Sequence, residues 1–201
     1  FGAAWKGIVD GTVDVAFSST NSGVTYEAAS SPRGLFWPPF DPSDEAAFKR
    51  LTDVAPYYIK SRGTVGANID GSDGRDMAAF PYPILIALDT TDEDLAYNMT
   101  KAMFDLLPAY SGKTPGIEGW AIEFQQLEWV IPYHAGAIRY YKEAGVWTEE
   151  AQKHNDMLIA RQDALAAAWD ELKAAAPDDW DAAWPEKRRE ALKAGGFQVA
   201  F

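Results

Sequence analysis

The chain of 201 residues has no cysteine, which removes disulfides, thiolate metal sites and cysteine nucleophiles together. A cysteine-free chain fits an oxidising compartment as well as a reducing one, so the absence does not choose between them. Histidine is nearly missing: with only His134 and His154, a three-histidine zinc site is impossible, and no HExxH spacing occurs. Positive charge is also short. Eighteen Lys and Arg stand against thirty Asp and Glu, a formal net charge of -12, and no basic cluster is visible, which argues against a nucleic-acid partner. Long apolar runs are absent too: Pro83 to Leu88 is far shorter than the roughly 20 residues a membrane-spanning helix needs. The chain opens neither with methionine nor with a signal-like segment, so Phe1 is read as a processed, cut or unresolved edge.

At 47% hydrophobic and 13% aromatic, the chain has enough apolar material for one sizeable core or two small ones. Residues 1–40 read as alternating α/β units. Ala3 to Lys6 forms the last turn of a helix closed at Gly7, and Val13 to Phe17 a short strand. Gly23 to Ala29 is a helix capped from the preceding polar turn, and Gly34 to Trp37 a second strand. Ser43 caps a helix over 44–53, and the glycines of 60–76 describe a loop or irregular hairpin. Tyr82 to Leu88 has the continuous apolar character of a strand buried on both faces. Thr91 and Asp94 open a helix whose apolar face is Leu95, Met99, Met103 and Leu106, and Trp120 to Trp129 reads as another. The longest helix spans 148–176, capped by Thr148, striped by Leu158, Leu165, Trp169 and Leu172, and stopped by Pro177. Its stripe is too short for a coiled coil, so it docks on its own domain. Trp180, Trp184, Phe197 and Phe201 tie down a second short helix after it.

Chemistry-bearing clusters are few. His154 falls on the polar face of the long helix and reads as solvated. His134, among aromatics before a helix, reads as a hydrogen-bonded structural residue, with a ligand contact as the alternative. Asp70-Gly71-Ser72-Asp73-Gly74 lacks the glycine position and closing glutamate of a calcium loop, so it reads as a glycine-rich turn. Glu118, Glu123 and Glu128 recur every five residues, which turns them away from one another on a helix. Arg33 and Arg62 read as surface charges that could also pair with an acid bidentately. The turn Ser18-Ser19-Thr20-Asn21-Ser22 is the better site. It joins a strand end to a helix N-terminus, where free N–H groups and the helix dipole favour an anion, and five small polar side chains add donors. A capped turn with spare polar residues is the alternative.

Three pieces resemble the TAXI family, the solute receptors of TRAP transporters. Ala4 to Gly7 with Gly11-Thr12-Val13-Asp14-Val15-Ala16-Phe17 is similar to the family's helix, glycine and G-x-V-D-A-A-F strand. Tyr97 to Phe104 is similar to its Y-x-x-T-K-A-I-F helix. Ile131 to Trp147 is similar to its P-x-H-P-G-A-I-R-Y-Y-K-E-x-G signature, with Ala135 where proline is usual. The pieces occur in the family's order and cover roughly residues 1–147.

The resemblance implies an α/β fold of the type II periplasmic-binding-protein kind, here incomplete. Residues 1–81 would be the later part of lobe two, 82–147 the crossing strand and lobe-one helices, and 148–201 a long C-terminal helical extension. It implies an extracytoplasmic, periplasmic receptor that captures a small organic acid between two lobes and hands it to the membrane subunits of a TRAP transporter. Ser18, Ser19, Thr20, Asn21 and Ser22 would contact the ligand, other contacts coming from a missing N-terminal half. No catalytic residue, metal or cofactor is expected. The rival is a structural or interaction subunit, derived from a receptor half that no longer binds a solute.

Overall fold

The computed structural model of the chain describes residues 1–72 and 74–200 as a mixed α/β molecule, mostly helical, with one two-stranded antiparallel sheet. It divides into two compact units: Phe1–Leu51, Tyr58–Tyr82 and Leu106–Phe124 form one, and Thr52–Tyr57, Pro83–Asp105 and Gln125–Phe201 the other. No helix among the described residues is long and apolar enough to cross a membrane.

In the first unit, helix α1 (Gly2–Asp10) packs on α2 (Gly23–Ser30), and Trp5 of the one and Ala28 of the other are buried. Gly7 does not close α1 as expected. The helix runs on to Gly11, whose φ of 82° ends it in the left-handed conformation that glycine adopts without penalty. Gly7 serves instead as a close approach, since a Cβ there would lie 2.7 Å from Val13 Cγ2. Arg33 fastens the exit from this helix: its guanidinium donates to the Ile8 carbonyl at 2.9 Å and to Asp14 at 3.1 Å.

Helix α3 (Glu45–Val54) is capped by Asp44, which accepts from Ala47 N at 2.8 Å, and not by Ser43, whose hydroxyl donates to Asp41. Strands β1 (Ile59–Gly63) and β2 (Arg75–Ala79) form the hairpin expected among the glycines, in a register that pairs Ile59 with Ala79 and Gly63 with Arg75. Phe80, just beyond β2, stacks on Phe17 at 5.8 Å and meets Tyr58 edge-on at 6.0 Å, a small aromatic core. A short helix α5 (Leu107–Tyr110) and two 3-10 turns, Ile117–Trp120 and Ile122–Phe124, complete the unit. The helix expected over 120–129 does not form.

Two expected strands of this unit, Val13 to Phe17 and Gly34 to Trp37, have no regular structure. A strand exists only as part of a ladder, and among the described residues neither segment pairs with another. The same holds in the second unit for Tyr82 to Leu88, which is neither a strand nor buried. Ile84 is 41%, Leu85 53%, and Ile86 and Leu88 each 74% exposed. Among the described residues, Ile84 to Ala87 make no backbone hydrogen bond.

The rest of the second unit is helical. Helix α4 (Glu93–Asp105) starts one residue later than expected, capped by Asp92, which accepts from Leu95 N at 2.9 Å. Of the expected stripe, Leu95, Met99 and Leu106 are exposed and Met103 is half-buried; the face set against helix α6 (Ala135–Glu143) is Ala96, Tyr97 and Phe104. Phe104 stacks on Tyr140 at 5.4 Å, and Arg139 lies 4.1 Å from the Tyr97 ring centre while reaching Glu93 at 3.0 Å and Asp94 at 2.7 Å.

Helix α7 (Glu149–Ala175) has the expected cap, Thr148 accepting from Ala151 N at 3.0 Å, and buries Ala151, Asn155, Leu158, Ala168 and Leu172 on one stripe. It packs against α8 (Trp180–Ala194), where Trp169 meets Trp184 at 5.0 Å and Trp180 at 5.5 Å. Phe201 lies outside the described residues. His154 is not merely solvated: its ring contacts the Trp129 carbonyl. The neighbouring Asn155, 2% exposed, accepts from Tyr133 N at 2.7 Å. These bonds hold 129–134 as an irregular segment, leaving it no helical ladder.

Candidate functional site

The turn Ser18 to Ser22 precedes α2 in the first unit, as the sequence suggests, although what leads into it is irregular chain and not a strand. Its five side chains have different fates. Thr20 donates its hydroxyl to the Val65 carbonyl at 2.7 Å, and Asn21 its amide to the Pro115 carbonyl at 2.9 Å. Ser18 donates to Ser22 Oγ at 3.0 Å. Ser19 is exposed, and no hydrogen bond of its hydroxyl is seen. Ser22 is the residue before α2, yet its side chain makes no capping bond. The N–H groups of Gly23 and Val24, the first two of the helix, have no partner among the described residues.

The turn is therefore half structural and half open. Thr20 and Asn21 spend their donors on two loops, whereas Ser19, Ser22 and the two helical N–H groups still have donors to offer. A helix N-terminus with uncapped N–H groups carries partial positive charge and suits a carboxylate or another anionic oxygen.

The turn's rigidity comes from beneath. Thr25, fully buried, donates its hydroxyl to the carbonyls of Thr20 at 3.0 Å and Ser22 at 2.6 Å. Thr20 O also accepts from Ala67 N at 3.0 Å. The loop that supplies Val65 and Ala67 fits only because residue 66 is glycine. Its φ is 150°, and a Cβ on it would come within 2.5 Å of Thr20 O. Trp37 donates its indole N–H to Ala67 O at 2.8 Å, holding the other side of that loop. Gly116 makes a matching approach, with Asn21 Nδ2 2.8 Å from where its Cβ would be. None of Thr25, Gly66, Ala67 or Gly116 stands out in the sequence as part of the site. Their only trace there is an unusual density of glycine between 63 and 74 and the polar stretch 111–116.

Other candidates are placed elsewhere. Arg33 is committed to α1 and Asp14, and Arg62 pairs with Asp76 at 2.9 Å. Asp70 accepts from the Ser72 N–H and hydroxyl, which holds its carboxyl below the usual range and makes 70–72 a tight turn. Asp73 lies outside the described residues. Glu118 is not idle: it accepts from Gly112 N at 2.9 Å and Ser111 Oγ at 3.2 Å, and backbone N–H donors hold its pKa down. Among the described residues no three His, Cys, Asp or Glu side chains gather as a metal cage.

His134 lies in the second unit as the N-cap of α6. Its Nδ1 accepts from Gly136 N at 3.1 Å, and its Nε2 lies 3.1 Å from Thr91 O. Around it Tyr133, Tyr141 and Trp147 pack edge-on and stacked at 5.4–6.3 Å. Burial raises the Tyr133 hydroxyl to about 12 and lifts that of Tyr141 as well. The signature segment is thus a packing centre.

Comparison with known proteins adds one finding. No curated protein and no solved structure matches the chain. The NMT1-like family matches residues 39–145, just over half of it, a span that includes the hairpin, α4 and α6 but neither the Ser18–Ser22 turn nor α7 and α8. The mostly helical α/β fold is compatible with part of a binding-protein-like architecture. On that match the chain belongs to the NMT1-like family, a periplasmic-binding-protein-like family related to solute receptors.

Proposed function

We propose that this chain is part of an extracytoplasmic solute receptor of the TAXI kind, with a type II binding-protein fold, that captures a small organic acid for a TRAP transporter. Family membership over 39–145 supports a substrate-binding role, and the TAXI-like motifs narrow it to this receptor class. The observation that carries the ligand class is the open half of the Ser18–Ser22 turn. Ser19 and Ser22 hydroxyls and the Gly23 and Val24 N–H groups are donors without an acidic neighbour in the turn, which suits a carboxylate. Thr20 and Asn21 brace the turn while Ser18 orients Ser22. In this reading an N-terminal half of the receptor supplies the remaining contacts, lobe closure traps the ligand, and membrane subunits receive it. No chemical step is assigned to any residue.

Calorimetric titration of the intact protein with dicarboxylates, 2-oxo acids and glutamate tests the ligand class. Heat from one of these, lost on Ser22→Ala, is expected; silence from all of them rejects it.

A second reading has its own support. The exposed Ile84–Leu88 segment, whose backbone from Ile84 to Ala87 is unpaired among the described residues, suits a subunit that binds another polypeptide and no solute. Intact mass of the native protein separates the two. A mass matching only these residues favours the interaction subunit, and a longer chain the receptor.

A further inference from the structure

The two histidines of the chain bond at the two ends of one segment, 129–134, each to a backbone carbonyl, but only His134 also accepts a backbone N–H. His154 contacts the Trp129 carbonyl, an acceptor, so its ring nitrogen must carry a proton there. His134 does something different. Gly136 N–H points at its Nδ1, which must therefore be a bare lone pair, while Nε2 faces the Thr91 carbonyl and must be protonated. Only the neutral Nε2–H tautomer meets both demands.

We propose that His134 is a pH-operated latch on the first turn of α6: anchored through Nε2–H to the Thr91 carbonyl, it accepts the Gly136 N–H when neutral and releases that N–H when protonated. A second proton on the ring would sit on Nδ1 and face the Gly136 N–H, donor against donor. The cap would be lost, and a cation would stand at the positive end of the α6 dipole. The latch closes a tight joint, because Gly136 lies against α4 so closely that a Cβ there would come within 2.3 Å of Glu93 O. His154 differs: its contact needs a ring N–H, which the imidazolium also provides.

The charged and titratable groups on the surrounding elements are otherwise engaged. From the start of α4, Asp92 accepts from Leu95 N, and Glu93 and Asp94 pair with Arg139 of α6. On α6 Lys142 is exposed and Glu143 accepts from the Tyr97 hydroxyl. From α7, Asp156 accepts from Gln152 and His154 holds Trp129. Tyr133 donates its hydroxyl to Gln126 O. None is hydrogen-bonded to the His134 ring, whose partners are Thr91 and Gly136. Histidine side chains take up their proton between about pH 8 and 5.

The test needs no ligand, so its failure is distinct from that of the proposed function. Long-range nitrogen–proton NMR of the intact chain at pH 8 should show His134 with a bare Nδ1 and a protonated Nε2. On acidification to pH 5, the protection of the Gly136 amide from hydrogen exchange, normalised for intrinsic rate, should fall roughly 5- to 30-fold, the weight of a lost cap. His134→Asn, whose side-chain oxygen caps at any pH, should lose that dependence, and His154→Gln should keep it. An Nδ1–H tautomer at His134 in the native chain overturns the latch even if the Asn variant does not fold. So does an unchanged pH dependence in His134→Asn, or its disappearance in His154→Gln.

Discussion

Replacing Gly136 with alanine should destabilise the chain, although residue-level helix preference says the opposite. Gly136 lies in the first turn of α6 and is not among the positive-φ glycines, so alanine fits its backbone. In open space the change would stabilise the helix by up to about 1 kcal/mol. The space is not open. A Cβ at 136 would lie 2.3 Å from Glu93 O, 2.6 Å from Tyr97 N and 2.9 Å from Ala96 Cβ. Two of these three atoms are backbone of α4 and cannot rotate away. The helices must separate by on the order of 1 Å, and a gap of that size forfeits a quarter to a half of each dispersion contact across the interface. The Phe104–Tyr140 stack at 5.4 Å and the Arg139–Asp94 bond at 2.7 Å lie in that interface.

Overpacking of this kind costs about 1–3 kcal/mol, here at the upper end, so a net loss of about 2 kcal/mol remains after the propensity gain. In a chain of this size that lowers the melting transition of the α4–α6 unit by roughly 4–8 °C, readable by calorimetry. Gly2→Ala, with nothing within 4 Å of its Cβ, is the control and should change little. Adding Ala96→Gly to Gly136→Ala removes only the side-chain clash, so it should not rescue. A Gly136→Ala chain as stable as the native one, or full rescue by Ala96→Gly, would refute the reasoning.

Other consequences are as direct. Burial raises the Tyr133 hydroxyl from 10 to about 12, so its contribution to stability is complete below pH 10 and is lost as the pH climbs to 12. That rise is worth on the order of 3 kcal/mol; absorbance near 295 nm should show Tyr133 and Tyr141 ionising last, together with alkaline unfolding, and early ionisation of both would contradict it. Gly66→Ala drives a Cβ onto Thr20 O and should cost about 1–3 kcal/mol while weakening any ligand heat assigned to the turn; unchanged stability and heat would detach that loop from the site. Thr25→Val keeps the shape but deletes the buried donor to Thr20 and Ser22, an expected loss of about 1–2 kcal/mol in denaturant unfolding. Asn155→Ala leaves Tyr133 N without its acceptor and should cost about 1–3 kcal/mol and raise exchange at that amide; an unaffected Tyr133 amide would count against the bond.

What could be read in the sequence was mostly what is local. Thr148 and the acids after it open α7, and Pro177 stops it, because a cap and a stop act within one helical turn. Where neighbouring residues compete for the same task, sequence misplaces it by one. Asp44 caps α3 beside Ser43, and Asp92 caps α4 beside Thr91, since aspartate accepts from a helical N–H as well as serine does. The Ser18–Ser22 turn was legible as a helix entrance for the same local reason. Its supports were not: Val65, Ala67 and Pro115 lie 45 to 94 positions away from their partners in the turn, and a lone sequence carries no pairing information over that distance. The helix expected over 120–129 failed likewise at its end, where Trp129 is held by His154 of α7, and Tyr133 beyond it by Asn155, from outside the segment.

The misread strands share one physical cause, and it bears on function. Apolar, β-branched composition measures how well a segment would suit a pleated, covered surface, not whether that surface is present. Val13–Phe17 and Ile84–Leu88 have that composition, yet the described chain supplies neither a ladder partner nor a covering layer, so Val15, Ile86 and Leu88 stand in solvent and Phe17 is covered on one ring face only, by Phe80. Exposed apolar side chains beside unpaired N–H and C=O groups are an aggregation hazard, which proteins normally blunt with charge, proline or a covering element. Pro83 and Asp89 flank the second segment, but nothing of that kind interrupts Ile84 to Leu88. The two readings of function therefore predict different behaviour for this one stretch. In a receptor it is covered by further chain and Ile86→Asp is ruinous; in a free-standing subunit the same change leaves the fold intact and abolishes only the capture of its partner.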